Sequence, residues 1–531
     1  MNKNRRRGYI GKPVVTDQKP EVMMKPIVVW AALCGALAGV GVLAADDLYE
    51  DPRAGFTVPT PPGWQIVREQ GYARFTHAGV KADLFVVAAP GSGEEVSAAA
   101  MKLLIDAELG DEFIARPVQA SRIPLPSGTW TQRIYQRSDT LIAAISLEHD
   151  GIAHVIVTEA TQDEFTRAVN GAVNAILIGF ELTQADGGTA DAARIRHDVA
   201  FESGAISLAG TLTLPDGDGP HPAVILISGS GAQDRDGRNP ALPNYRPLRR
   251  IADHLAGNGI ATLRFDERGF AASGGDHATA TTADFADDNE AALRYLLDRP
   301  EIDRARVGIL GHSEGGVIAA MVAARNPDVA FVITMAGSAL PYSEIVVRQV
   351  ELIAKASGLP PEEVAVMRDR QVRAMRHAAA GEWEEVREIV RASTLEQIAR
   401  LPAAQLAAIG DPDVLATRQA DAEIAGMQTP WMRFFMSYDP RRDLERITVP
   451  VLAVYGGLDT QVDAAQNRPA VETALRRAGN RDVTVAVVEG ANHLFQDAQT
   501  GSPQEYAALG TGLHDEFLDV VTNWITERFV R

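Results

Sequence analysis

Apolar residues beyond Val199 gather in short, near-continuous runs: Ala223–Ile227, Ala261–Phe265, Val307–Leu310, Phe331–Met335, Val451–Tyr455 and Val483–Val488. Each run ends in polar or glycine-rich sequence and is followed by an amphipathic helical stretch. That alternation predicts strands buried on both faces of a doubly wound, mostly parallel sheet, the α/β class. Between the fourth and fifth runs, Ser338 to Thr448 is rich in Ala, Glu, Arg and Leu at helical spacing. A crossover needs roughly a dozen residues, so this stretch predicts an inserted helical cap, about 338–448, at the carboxyl edge of the sheet where ligands of open α/β sheets bind.

Upstream the pattern changes. From Asp46 to Leu182, Leu84–Ala88 and His154–Val157 predict strands and Val96–Leu109 a helix, the mark of a smaller α+β layer. Its opening, Ala54-Gly55-Phe56-Thr57-Val58-Pro59 with Pro62-Gly63-Trp64, weakly resembles the start of PsbP-like domains. This region offers no clustered His, Asp or Ser, which points to packing or docking rather than chemistry. A polar, glycine-containing stretch then reads as a linker. The expected layout is therefore 1–45 as an address segment, 46–182 as the N-terminal domain, 183–193 as linker and 194–531 as the second domain. No internal repeat is evident.

Composition narrows the function. The chain has 531 residues, 46% of them hydrophobic and 23% charged, which suits globular protein in more than one packed unit. A formal charge of −19 argues against a nucleic-acid partner, because phosphate binding needs concentrated Lys and Arg. Cys34 is the only cysteine, so neither an intrachain disulfide nor a thiolate metal cluster is possible.

The first residues read as a signal peptide. Arg5, Arg6 and Arg7, then Lys25, precede the apolar run Pro26–Ala44, and Val42-Leu43-Ala44 supplies the small residues of a cleavage site. Cleavage after Ala44 or Ala45 would remove Cys34 and deliver a periplasmic or secreted protein. The competing reading is a retained inner-membrane anchor, since a run of this length just spans a bilayer. Arg6-Arg7-Gly8-Tyr9-Ile10 resembles a twin-arginine signal but lies far from the apolar run, and initiation at Met23 or Met24 would discard it.

The chemistry sits in the second domain. Gly311-His312-Ser313-Glu314-Gly315 follows one strand run and precedes the helix-prone Val317–Ala324, which is G-x-S-x-G in strand-turn-helix context. A sharp turn lifts the serine hydroxyl clear of the sheet, and only glycine fits on either side of it. A serine hydroxyl is a poor nucleophile at neutral pH and needs an imidazole to take its proton and a carboxylate to fix that imidazole's tautomer. In the order nucleophile, acid, base, the candidates are Ser313, Asp459 after the fifth run, and His493 after the last. Asp463 is the runner-up acid, and His312 is disfavoured as base because adjacent residues in such a turn diverge. The oxyanion would be held by the backbone N–H of Glu314 and that of Ser230, or else Gly231, in the loop Ser228-Gly229-Ser230-Gly231-Ala232. Asp266-Glu267-Arg268-Gly269 and Gln233-Asp234-Arg235-Asp236 read as scaffolding beside the site.

Together the Gly229-Ser230-Gly231-Ala232-Gln233-Asp234-Arg235-Asp236 loop, Gly311-His312-Ser313-Glu314-Gly315-Gly316, Tyr455-Gly456-Gly457-Leu458-Asp459 and Gly490-Ala491-Asn492-His493 resemble the bacterial serine-esterase branch of the α/β-hydrolase superfamily, from about Arg194 to the C-terminus. Dienelactone-hydrolase-like and serine-peptidase-like members are related. The segment Thr429–Pro440 is similar to the one that leads from the cap back into the sheet in that branch. Two departures stand out: Ser228 where many relatives carry histidine, and Ala271 where they carry glycine. The resemblance implies a carboxylesterase acting on a small-molecule ester with short acyl chains, through an acyl-enzyme intermediate, with no metal or organic cofactor. The alternatives are a serine peptidase or amidase of the same fold, a thioesterase, and a non-catalytic envelope binding protein.

Overall fold

The buried apolar runs assemble into one eight-stranded sheet. The computed structural model describes residues 48–530 apart from 52–55, 62, 70–71, 107–108, 126, 150, 183–194, 239–241, 243–244, 402–405 and 407–409. The address segment 1–45, with Cys34, and the linker 183–193 lie outside the described residues. Among the described residues no helix is long and apolar enough to cross a membrane.

The strands are β1 (Ile195–Ser203), β2 (Ile206–Leu214), β3 (His221–Ile227), β4 (Ala261–Phe265), β5 (Ile302–His312), β6 (Phe331–Met335), β7 (Val451–Gly456) and β8 (Val483–Val488). Their order is β1-β2-β4-β3-β5-β6-β7-β8. β1 and β2 form an antiparallel hairpin and β2 is antiparallel to β4, while β4 through β8 are parallel throughout. The near-continuous apolar runs hide a period of two. Ala223, Ile225 and Ile227 face one core with Ile309, Val332 and Ala453, whereas Val224 and Leu226 face the other with Leu310, Ile333 and Val454. Both faces are covered, so only Thr262, Arg264, Thr334 and Thr484 interrupt the apolar pattern.

Helices close the two faces. α1 (Pro247–Ala256) contributes Leu248, Ile251 and Leu255 to the second core. α2 (Thr282–Leu297) and α3 (Glu314–Arg325) pack into the first. The chain enters β3, leaves for β4 on one side and returns to β5 on the other, so the ends of β3 and β5 border the point where the strand order reverses. The loop 228–233 and Ser313 both sit there.

The insertion between β6 and β7 is helical: α4 (Tyr342–Ala356), α5 (Pro361–Ala380), α6 (Trp383–Ile398), α7 (Pro412–Met427) and α8 (Pro430–Ser437). Pro361, Pro412 and Pro430 each start a helix at a position where no N–H is needed, and Gly381 ends α5 in the left-handed region at φ 73°. The insertion has its own apolar centre of Met375, Val386, Val390, Ile424 and Met432.

Residues 65–161 form a separate seven-stranded antiparallel sheet, with Gly93–Leu104 on one face and Asn170–Gly179 on the other. The helix expected over Val96–Leu109 lies earlier because Ser92 and Glu95 make a reciprocal capping box that fixes its start. A short three-stranded sheet of Leu48–Asp51, Phe56–Pro59 and Glu181–Leu182 adjoins it in sequence.

Candidate active site

Ser313 is the residue between β5 and α3, and its backbone is in the left-handed region at φ 53°, ψ −115°. Two hydrogen bonds hold this turn: Ser313 N–H donates to the carbonyl of Met335 at 2.8 Å, and Gly316 N–H to that of Ser313 at 3.0 Å. The flanking glycines are sterically required. A Cβ on Gly311 would lie 1.9 Å from the Gly315 carbonyl oxygen, and one on Gly315 would lie 2.4 Å from that of Ser228. The elbow is thus packed directly on the loop after β3, where a Cβ on Gly229 would lie 3.1 Å from His312 Nδ1 and 3.4 Å from Ser313 Cβ.

Asp459 and His493 come from the ends of β7 and β8 and meet. His493 Nδ1 lies 2.8 Å from Asp459 Oδ2, with both side chains buried. Asp459 Oδ1 accepts from the backbone N–H of Gln461 at 2.7 Å and of Val462 at 2.9 Å, so the carboxylate is aimed before the imidazole arrives. The loop of His493 is folded by Asn492, whose Oδ1 accepts from the amides of Leu494 at 2.9 Å and Gln496 at 3.0 Å, and Phe495 is buried against Phe517. Leu458 N–H donates to the Ala491 carbonyl at 2.9 Å and joins the two loops.

The rivals are engaged elsewhere. Asp463 caps the helix Ala464–Arg477 and pairs with Arg348 of α4 at 2.7 Å. His312 places Nε2 3.0 Å from the carbonyl oxygen of His493, so that nitrogen carries the proton and is committed. Burial, and then the neighbouring His493, push the His312 pKa down to about 3. It is a neutral brace behind the His493 loop, its ring 4.9 Å from that of His493.

Glu314 opens α3, where the first amides of a helix have no partner within it. Its carboxyl is buried and accepts from Thr282 Oγ1 and from Trp431 Nε1, each at 2.7 Å, with a further side-chain hydrogen bond from Ser230. Burial raises its pKa. A second, half-buried acid, Glu267, accepts from the Ser228 hydroxyl at 2.5 Å and the Gln233 amide at 3.2 Å, with His277 Nε2 at 3.1 Å. Burial raises Glu267 as well. Burial works against charge on His277, yet the Glu267 hydrogen bond and the charges of Glu267 and Glu314 outweigh it and lift its pKa. The sequence places Glu267 only in a turn. Its link to the loop after β3 depends on β3 and β4 being neighbours in the sheet. Among the described residues no group of three or more His, Cys, Asp or Glu is placed to hold a metal ion.

A family model described as "Serine aminopeptidase, S33" matches residues 244–497. Esterase EstD of Thermotoga maritima is 25% identical over 321 residues, 60% of this chain and 66% of its own length. An uncharacterized protein of Mycobacterium tuberculosis is 31% identical over 115 residues, 22% of this chain and 36% of its own. The chain thus spans less than two thirds of either relative. Among solved structures, a Pyrococcus furiosus esterase aligns over 65% of this chain and 96% of its own at 15% identity, with a TM-score of 0.38. The strand order with its antiparallel start and the serine at a strained turn after β5 give the C-terminal part of this chain the α/β-hydrolase fold, and the family match covers just under half of the chain, from the loop before α1 to the end of the His493 loop.

Proposed function

We propose that the chain is a serine hydrolase of carboxylic esters, with Ser313 as nucleophile, His493 as base and Asp459 as the acid that orients it. The observation that carries this reading is the buried 2.8 Å contact of His493 Nδ1 with Asp459 Oδ2, beside the strained turn that bears Ser313. With Nδ1 given to the carboxylate, Nε2 is left to take the Ser313 proton as the hydroxyl attacks the ester carbonyl. The amides of Glu314 and Ser230 hold the developing oxyanion, each worth about 3 kcal/mol. The same imidazole protonates the leaving alcohol, then activates the water that releases the acid.

An aminopeptidase reading needs a free carboxylate for the substrate's ammonium group. The two acids beside the elbow, half-buried Glu267 and buried Glu314, already accept from protein donors, which favours the ester. A relative called an esterase, EstD, points the same way. The test is turnover of p-nitrophenyl esters of increasing acyl length beside aminoacyl anilides, for the full chain and for Ser313→Ala. Ester turnover, best on short chains and reduced by at least about three orders of magnitude in the variant, is expected. Anilide cleavage as the main activity would make the chain a peptidase.

A further inference from the structure

The loop Ser228–Gln233 must bring a backbone amide to the substrate, yet it is built largely of glycine and serine, residues that fix little by themselves. Its rigidity has to come from outside. Glu314 takes the Ser230 side chain in the middle of the loop, and the turn after β4 holds the two ends: Glu267 Oε1 accepts from the Ser228 hydroxyl at 2.5 Å and Glu267 Oε2 from the Gln233 amide at 3.2 Å, one carboxyl group at both ends of the loop. The Glu267 amide returns a hydrogen bond to the Gln233 carbonyl at 3.3 Å, and His277 Nε2 holds the carboxyl from the far side at 3.1 Å. Between those two anchors the Gln233 side-chain amide donates to the Ser230 carbonyl at 3.2 Å, which ties the middle of the loop to its end.

We propose that Glu267 is the positioning residue of the oxyanion hole: it clasps both ends of the 228–233 loop and so fixes the Ser230 amide over Ser313. The proposal rests on the serine-hydrolase reading. It also accounts for Ser228 at a position where histidine would fit the family pattern, since the short hydroxyl reaches the half-buried carboxyl directly. Glu267 touches no reacting atom. Its effect falls on the transition state, where the oxyanion forms, and little on substrate binding.

The experiment uses the full chain and compares wild type with Glu267→Ala, Glu267→Gln, Ser228→Ala and the Glu267→Ala/Ser228→Ala double variant. Active sites are counted by end-point labelling with a fluorophosphonate, and kcat and KM on a p-nitrophenyl ester are taken per labelled site. Removing one oxyanion donor costs about 100- to 1000-fold in kcat, so a loosened one should cost about 30- to 100-fold. Glu267→Ala is expected to show that fall in kcat with KM within about 3-fold, and an equal slowing of phosphonylation, whose oxygen uses the same hole. Glu267→Gln, which keeps the shape and one acceptor oxygen, should recover part of the loss. Ser228→Ala should cost several-fold in wild type and nothing more in Glu267→Ala, because both remove the same tether.

A fully labelled Glu267→Ala with kcat within 2-fold of wild type would overturn the proposal alone, as would additive effects in the double variant. Should Glu267→Ala fail to fold, unchanged kcat in both Glu267→Gln and Ser228→Ala would overturn it equally. A wild-type chain that neither takes up the phosphonate nor turns over esters would overturn the serine-hydrolase reading itself.

Discussion

His493 is held at two points: Asp459 accepts from the ring at 2.8 Å and His312 donates to the main-chain carbonyl at 3.0 Å. The two contacts predict different phenotypes. Asp459→Asn keeps the size of the side chain but offers Nδ1 a donor in place of an acceptor, which turns the imidazole to the wrong tautomer. Its kcat should fall by about 10⁴ with KM little changed, as read in initial rates on the best ester. His312 acts through stability. In the unfolded chain its imidazole protonates below about pH 6.5, whereas the folded site keeps it neutral down to about 3. The unfolded state therefore binds the extra proton between those values, so the His312 contribution is intact above 6.5 and is lost as pH falls towards 3. Melting curves of His312→Gln should be flatter than wild type between pH 7 and 4, the gap closing by an amount on the order of a few kcal/mol. Parallel curves would show that the site hydrates and that burial does not hold the ring neutral.

Among the elements, the turn from β5 to α3 is fixed by its contact with β3 and by its own backbone. A Cβ at Gly315 would lie 2.4 Å from the carbonyl oxygen of Ser228 and 2.7 Å from that of Ile227, both main chain and unable to swing aside. Gly315→Ala should lower stability by about 1–3 kcal/mol, seen as a drop in Tm, and push the elbow out of line with His493, abolishing measurable turnover. This element was legible because its demands are local: glycine, strained serine, glycine, then helix. The parallel strands were legible for a related reason, since burial on two faces writes itself as a near-continuous apolar run, and β4 and β6 fall on the expected residues, as does the half-buried β8 at the edge. β1 and β2 were not. β1 edges the sheet and mixes Arg, His and Asp into Ile195–Ser203, while β2, inside it, breaks its apolar positions with Ser207, Gly210, Thr211 and Thr213, so no run betrays either. Of the antiparallel strands of residues 65–161, the two with near-continuous apolar runs were legible, Leu84–Ala88 and His154–Val157 lying within Leu84–Pro90 and Ile152–Thr161, while strands such as Tyr72–Thr76 and Gly128–Arg137 mix polar and apolar positions and did not stand out. Ser313, Asp459 and His493 come from the ends of β5, β7 and β8, and Glu267 falls within a turn that reads as scaffolding beside the site, but the contacts of Glu267, His277 and Trp431 did not announce themselves. Their partners are 39, 10 and 117 residues away, respectively, and only the sheet order and the return of α8 to the elbow bring them together.

For the whole molecule the open question of function is where it works, and charge and chemistry converge on an answer. We propose that it is exported. Once residues 1–44 are removed, seven basic and two acidic residues go with them, and the remaining chain is more acidic than the formal −19 of the full sequence. It also holds no cysteine, so an oxidising compartment has nothing to act on. A site built from serine, histidine and carboxyl groups, with no thiol, works equally well there. The prediction is that the chain recovered from cells begins at Ala45 or Asp46, read by intact mass and N-terminal sequencing of the soluble extracytoplasmic fraction. Recovery in the membrane fraction with the N-terminal segment still attached would identify Pro26–Ala44 as an anchor instead. The same ester assay on spheroplasts then reports which side the site faces: turnover of an impermeant substrate is expected for the anchored chain, because the anchor would leave the basic residues before it inside and everything after it outside.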